Sequence, residues 1–201
     1  MKCKNQKQFR SAGPSLEDES VRLPGSLDPG LFQHVELQVK KTMYPSHFGN
    51  NALFPRKQDF EVVVKDEVVG LGVISRRAFA KGEVIAALAG EIIHDLRQHS
   101  LQIEPDVHLY DMYFSGYFLH SCSPNVELDM KNLLVYAVKD IQADEYLYMD
   151  YAQTEDVLYK QFPCGCGSEN CRGWITGRKE QVSNCIPALM ADAHNKEEIL
   201  G

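Results

Sequence analysis

Between Phe60 and Ile93 the chain reads Glu61–Val62–Val63–Val64, then Val68–Val69–Gly70–Leu71–Gly72–Val73–Ile74, then Glu83–Val84–Ile85–Ala86–Ala87–Leu88, and this stretch decides the fold class. Each run is short and rich in β-branched or apolar residues. Turn chemistry bounds them, Lys65–Asp66–Glu67 after the first and Lys81–Gly82 before the third. The same texture returns at Leu133–Val138 and Tyr146–Tyr151, so the central region is expected to be a set of short strands with few helices: mainly β, with α+β character at the margins. No internal repeat is visible.

Outward from this region the pattern fades. Leu31–Phe54 is richer in apolar and aromatic residues, and the alternation His34–Val35–Glu36–Leu37–Gln38–Val39 fits a strand or an amphipathic flank. Met1 to Pro29 mixes Lys2, Lys4, Lys7 and Arg10 with Ser, Gly, Pro and the acidic run Glu17–Asp18–Glu19, without a hydrophobic period, and reads as a flexible arm. Pro187–Leu200 sets a proline at a first helical position ahead of good helix formers and predicts one C-terminal helix.

With 201 residues, 44% hydrophobic and 24% charged, the chain has the composition of one soluble globular domain with short extensions, and no stretch approaches the ~20 apolar residues of a membrane span. Lys+Arg 21 against Asp+Glu 28 gives a net charge of −7. That balance disfavours direct nucleic-acid binding through a broad basic surface and accommodates a basic partner more easily. The start of the chain lacks the apolar h-region of a signal peptide, so the expected location is an intracellular, reducing compartment, cytoplasm or nucleus. There, clustered cysteines read first as a metal site rather than as bridges.

The strongest spacing signal is Cys164–Gly165–Cys166–Gly167–Ser168–Glu169–Asn170–Cys171. Cysteines one residue apart cannot easily bridge each other, whereas three thiolates on a tight glycine-bearing loop can converge on one tetrahedral Zn²⁺. The fourth ligand is open at this point: Cys122, Cys185, Cys3 or a histidine. Gly70–Leu71–Gly72 lacks the third glycine and following helix of a dinucleotide fingerprint, and alone reads as a bulge or twisted strand. In His120–Ser121–Cys122–Ser123–Pro124–Asn125, His120 alone is most simply a satisfied core histidine, and nothing nearby marks Cys122 as a nucleophile. Tyr146–Leu147–Tyr148–Met149–Asp150–Tyr151 alone is an aromatic-rich strand.

The order of these four elements on one chain resembles the SET-domain protein lysine methyltransferases with a post-SET zinc-binding loop. The likeness runs from Phe60 to Trp174 and includes Phe79–Ala80–Lys81–Gly82–Glu83–Val84–Ile85 and Gly90–Glu91–Ile92–Ile93. The resemblance implies a SET domain of short β-sheets in which the segment around His120–Asn125 threads beneath a later loop. It divides the chain into an arm (1–30), a flank (31–59), a SET domain (60–160), a post-SET zinc loop (161–178) and a helical tail (179–201). It implies S-adenosyl-L-methionine as cofactor, contacted by Val69, Gly70, Leu71, His120 and Tyr151, several of them through backbone atoms. Tyr151 takes the place of the catalytic tyrosine, and Cys122 completes a zinc site with Cys164, Cys166 and Cys171. The implied partner is a lysine-bearing, basic protein or peptide.

The chemistry suits such residues. Methyl transfer from a sulfonium to an amine is an in-line displacement, so the catalyst aligns two reactants and presents the amine uncharged. A free lysine titrates near pH ~10.4, and neutralising it at pH ~7 costs roughly 4.6 kcal/mol. An aromatic channel lowers that cost by desolvating the ammonium; Tyr113, Phe114, Tyr117, Tyr148 and Tyr151 are candidate walls. Three features depart from the family pattern: Leu119 in place of asparagine, Asp144 in place of glycine, and a short insert between Ile93 and Tyr110. Leu119 removes a polar contact to the cofactor's amino-acid end, so Leu119→Asn is expected to tighten cofactor binding unless local packing has adapted to leucine. Two other readings are a methyltransferase of a small amine and a zinc-stabilised binding module that has lost catalysis.

Overall fold

The first two predicted runs form an antiparallel hairpin, β1 (Phe60–Asp66) against β2 (Gly70–Ser75). The computed structural model describes residues 41–182. The expected arm, the His34–Val39 alternation, the Pro187–Leu200 helix, Cys3 and Cys185 lie outside the described residues. In the hairpin the pairing slips between Val64 and Asp66, opposite Leu71 and Gly70, so the glycine run does carry the bulge that its sequence suggested. Val68 and Val69, expected in the strand, form the turn instead: the Asp66 carboxylate accepts from both of their backbone N–H groups, and Gly70 follows at φ 81°.

Two three-stranded antiparallel sheets follow. One has β3 (Val84–Ala87) beside β9 (Leu134–Ala137) and β9 beside β8 (Val126–Asp129). The other has β4 (Glu91–Ile93) and β5 (Ser100–Glu104) flanking β6 (Val107–Tyr110). The insert between Ile93 and Tyr110, undivided by sequence reasoning, therefore builds two strands of a sheet. A two-residue parallel pair joins β7 (Leu119–His120) to β10 (Tyr148–Met149), and β11 (Phe162–Pro163) pairs with β12 (Trp174–Ile175) behind it. Tyr151, expected to end a strand, instead opens a single α-helical turn, α1 (Tyr151–Thr154), because the Asp150 carboxylate caps the Ala152 N–H.

The core is aromatic at its centre. Phe60, Phe79, Phe114 and Phe118 are buried, and their rings meet at centroid distances of 4.9–5.6 Å. Tyr44 and Phe54 from the flank reach the same cluster. Phe114 thus belongs to the core rather than to a channel wall. Tyr113 packs on Tyr44 and Phe48, and Tyr148 holds the Lys65 ammonium on its hydroxyl at 2.9 Å. Asp144 adopts a φ of 67°, in the left-handed region that a glycine takes without strain, and its exposed carboxylate pairs with Arg76 at 2.5 Å.

Asp111 is the polar node of this core. Fully buried, its carboxylate accepts from the Tyr44 hydroxyl (2.8 Å), the backbone N–H groups of Tyr113, Phe114 and Ser115, and the Ser115 hydroxyl (2.6 Å). It shapes the turn leading into Phe118–His120. Asp111→Ala strands those donors in the core and is expected to cost at least about 3 kcal/mol in urea denaturation; a loss below about 1 kcal/mol contradicts this role.

Candidate active site and metal centre

Two segments distant in sequence meet at the parallel pair. Leu119 N–H donates to Leu147 O (3.1 Å) and Ser121 N–H to Met149 O (3.0 Å). Asn125 then extends the ladder with its side chain: it donates through Nδ2 to Tyr146 O (2.8 Å) and accepts from Tyr148 N–H at Oδ1 (2.7 Å), while its own N–H donates to Tyr148 O. On the other flank, Asn170 Nδ2 and Arg172 N–H donate to Cys122 O and Sγ. The segment His120–Asn125 is clasped by later chain on both sides, in keeping with the threaded arrangement expected of it.

This clasp borders a cavity of about 790 Å³. The glycine turn Val69–Leu71, the loop Leu96–Leu101 and Ser115–Leu119 line it, with Met149, Tyr151 and Glu155. Gly116 admits no side chain: a Cβ there would stand 2.1 Å from Asp111 O. Of the expected wall residues, Tyr117 and Tyr151 line the cavity; Tyr113, Phe114 and Tyr148 do not. The Tyr151 hydroxyl donates to Phe118 O at 2.8 Å, which fixes the phenol within the wall. Burial, with the Glu155 carboxyl nearby, raises its pKa and keeps it a protonated donor.

Val69, Gly70 and Leu71 border the cavity, as cofactor contacts require. The His120 ring does not face it. It lies between the rings of Tyr151 and Phe162, with Nδ1 accepting the Tyr151 N–H at 3.3 Å and Nε2 3.5 Å from Cys122 Sγ. Burial lowers its pKa to about 4 against the pull of Asp150, leaving a neutral imidazole whose role here is to bind the two segments together. The Leu119 side chain packs on Gly72, where an added Cβ would meet Leu119 Cδ1 at 2.9 Å and Tyr146 Cδ1 at 3.0 Å, while Leu119 also borders the cavity.

The four cysteines singled out from the sequence come together: the Sγ atoms of Cys122, Cys164, Cys166 and Cys171 lie within 4.8 Å of one another. Gly167 and Gly173, both at φ 71°, turn the loop back on itself, and Cys164 N–H donates to Gly173 O. Burial pushes the Cys164 thiol up to about 12, while the Ser168 hydroxyl and backbone donors overcome burial to bring Cys166 down to about 5. The four thiols would hold one dication as thiolates, and an all-sulfur donor set would suit Zn²⁺.

Two features escaped the sequence reading. The loop Leu96–Leu101 reaches the cavity only because β5 folds back on β6. Glu155 stands four residues after Tyr151, and the Asp150 cap followed by this helical spacing is the signal that could have found it.

Residues 70–152 match the family described as SET domain. Methyltransferase flvH of Aspergillus flavus is 31% identical over 104 residues, 51% of this chain and 58% of that protein. Histone-lysine N-methyltransferase ASHR3 of Arabidopsis thaliana is 29% identical over 167 residues, 71% of this chain and 32% of that protein. The chain therefore spans between about a third and somewhat over half of the length of these relatives. Among solved structures, KRYPTONITE in complex with mCHG DNA and SAH is 23% identical, with a TM-score of 0.49 over 59% of this chain and 29% of that one. The Gly70–Ser75 strand of the glycine hairpin, the clasped His-Ser-Cys segment and the Asp150–Tyr151 turn all fall within the span of this chain, residues 70–152, that is similar to the SET domain.

Proposed function

We propose that this chain is a protein-lysine N-methyltransferase that uses S-adenosyl-L-methionine and carries one structural zinc at Cys122, Cys164, Cys166 and Cys171. The observation that carries the reading is the Tyr151 phenol, held on Phe118 O in the wall of a cavity that also opens on the glycine turn Val69–Leu71. The residues present fit the cofactor: the volume suits a nucleoside with an amino-acid tail plus an alkyl chain, and the left-handed Gly70 leaves backbone open beside it. When bound, the cofactor supplies an electrophilic methyl group. The chain's residues do the rest. Tyr151 orients the reacting atoms through its hydroxyl, Tyr117 and Met149 exclude water, and the neutral His120 ties the Tyr151 backbone to the thiol cluster.

The relatives named as histone-lysine N-methyltransferases support a lysine in a protein or peptide as substrate. The net charge of −7 favours encounter with a basic partner over direct nucleic-acid binding, and the unbridged thiols Cys122, Cys164, Cys166 and Cys171 suit a reducing intracellular compartment. Among the described residues no helix is long and apolar enough to cross a membrane.

Incubation with methyl-labelled cofactor and, separately, histones, a lysine peptide panel and polyamines tests the reading. Label on a protein lysine supports it; label on small amines alone replaces the substrate; folded, zinc-loaded protein that binds no cofactor at millimolar concentration overturns it. Tyr151→Phe is expected to keep fold and cofactor binding while lowering transfer about 100-fold or more; wild-type turnover in that variant makes Tyr151 a packing residue. Elemental analysis should find about one zinc per chain, lost in Cys166→Ser and kept in a Cys3→Ser/Cys185→Ser double variant. Zinc-free wild type, or full retention in Cys166→Ser, rejects the metal site. Because Leu119 is packed on Gly72, Leu119→Asn should destabilise the fold by about 1–3 kcal/mol without tightening cofactor binding. Tenfold tighter calorimetric binding at unchanged stability restores the opposite view.

A further inference from the structure

Glu155 is buried, with 5% of its surface exposed, yet it lines the cavity, and among the described residues there it is the one carboxyl. One oxygen, Oε1, accepts the Gln102 N–H at 2.9 Å; the other, Oε2, is buried with no partner. Native proteins seldom leave a buried carboxylate oxygen in that condition. Its backbone ties it to the tyrosine: as the extended C-cap of α1, Glu155 donates its N–H to Tyr151 O at 2.8 Å, and both residues line the cavity. Several neighbouring cations are engaged elsewhere. Arg178 donates to Asp156 and to the carbonyls of Gln153 and Thr154, Lys179 pairs with Asp156, and Arg97 pairs with Asp95.

We propose that Glu155 receives the target amine in this cavity: its carboxylate first holds the alkylammonium and then takes its proton. The inference rests on the lysine methyltransferase reading of the cavity. An ammonium brings three donors and a positive charge, which an orphaned buried carboxylate oxygen lacks. The proton of R–NH₃⁺ passes to the carboxylate, giving R–NH₂ and the carboxylic acid. The freed lone pair then forms the N–C bond to the sulfonium methyl as the C–S bond breaks and its electron pair stays on sulfur, so atoms and charge balance.

The electrostatics of the site agree. Burial chiefly, with Asp156, raises the Glu155 pKa to about 7, against the Gln102 N–H and Arg178; Arg97, His99, Tyr117, Tyr151, Tyr159 and Lys160 are the other titratable groups lining the cavity. A carboxyl titrating there is poised to accept a proton at neutral pH. Because the folded pKa lies above the unfolded one, ionisation of Glu155 disfavours the folded state: its contribution is complete below about pH 4 and is lost as pH rises through about 7.

The test uses the full, zinc-loaded chain and Glu155→Gln, which keeps the acceptor for Gln102 N–H. With S-adenosylhomocysteine saturating at neutral pH, n-butylamine titrated by NMR should bind wild type at least tenfold more tightly than the variant, while calorimetric affinity for S-adenosylhomocysteine stays the same. Denaturation of the variant should lack the loss of stability between about pH 5 and pH 8 that wild type shows. Its methyl transfer should fall about 100-fold at neutral pH and recover toward pH ~10 as the amine loses its own proton. Equal butylamine affinity, parallel loss of S-adenosylhomocysteine binding, or a pH–rate profile lowered uniformly without change of shape overturns the proposal. If Glu155→Gln does not fold, Glu155→Asp should keep the pH dependence at a reduced rate, and loss of that dependence overturns it equally. Glu155-dependent butylamine binding in a wild type that methylates no lysine leaves this site standing and rejects the methyltransferase reading.

Discussion

Asn125 is the residue on which the arrangement of the site depends. A two-residue parallel ladder is too short to hold two segments together, and Asn125 lengthens it by imitating a strand residue with its amide: donor to Tyr146 O, acceptor from Tyr148 N–H. The strip Tyr146–Met149 is thereby held between β2, through Leu147 N–H to Val73 O, and the His120 segment. Glycine turn, clasped segment and Tyr151 are connected through one set of backbone hydrogen bonds. Removing either amide function leaves a half-buried backbone group without its partner, a cost set by desolvation rather than by the strength of one bond.

The thiol cluster works on the same joint from the far side. Cys122 belongs to the clasped segment, whereas Cys164, Cys166 and Cys171 follow Tyr151, so any metal there closes a long loop around the site. The His120 ring fills the gap between them, neutral because burial outweighs the field of Asp150. Asp111 supports the opposite wall, where its donors fix the turn that carries Gly116 into the cavity. Polar nodes, more than apolar area, locate the functional atoms in this small domain.

Much of this was legible from local chemistry. Strand-prone runs bounded by Lys65–Asp66–Glu67 and Lys81–Gly82 form strands because short-range preference and burial agree there. Cysteine spacing announced a convergent loop, since tight glycine turns leave few other places for the thiols to go. Failures cluster where a side chain competes with the backbone. Asp66 turned Val68–Val69 out of the strand, and Asp150 capped Tyr151 into a helix, each by accepting N–H groups that a strand would have used. Tyr113, Phe114 and Tyr148 were indistinguishable from true wall residues, because aromatic character says nothing about which face of a twisted strip meets the cavity.

The sequence by itself determined the β character of the chain, the thiol set of the loop and the order of its motifs, because strand propensity, turn chemistry and cysteine spacing act over a few residues. Only the tertiary structure decided that Leu119 packs on Gly72 at the border of the cavity, that His120 turns toward sulfur, and that Glu155 is stripped of water beside Tyr151. Those outcomes depend on burial and on partners tens of residues away, such as Gln102 for Glu155. Desolvation, which sets whether a carboxyl is a solvated charge or a base, is a property of the folded surroundings and has no counterpart in the linear chain.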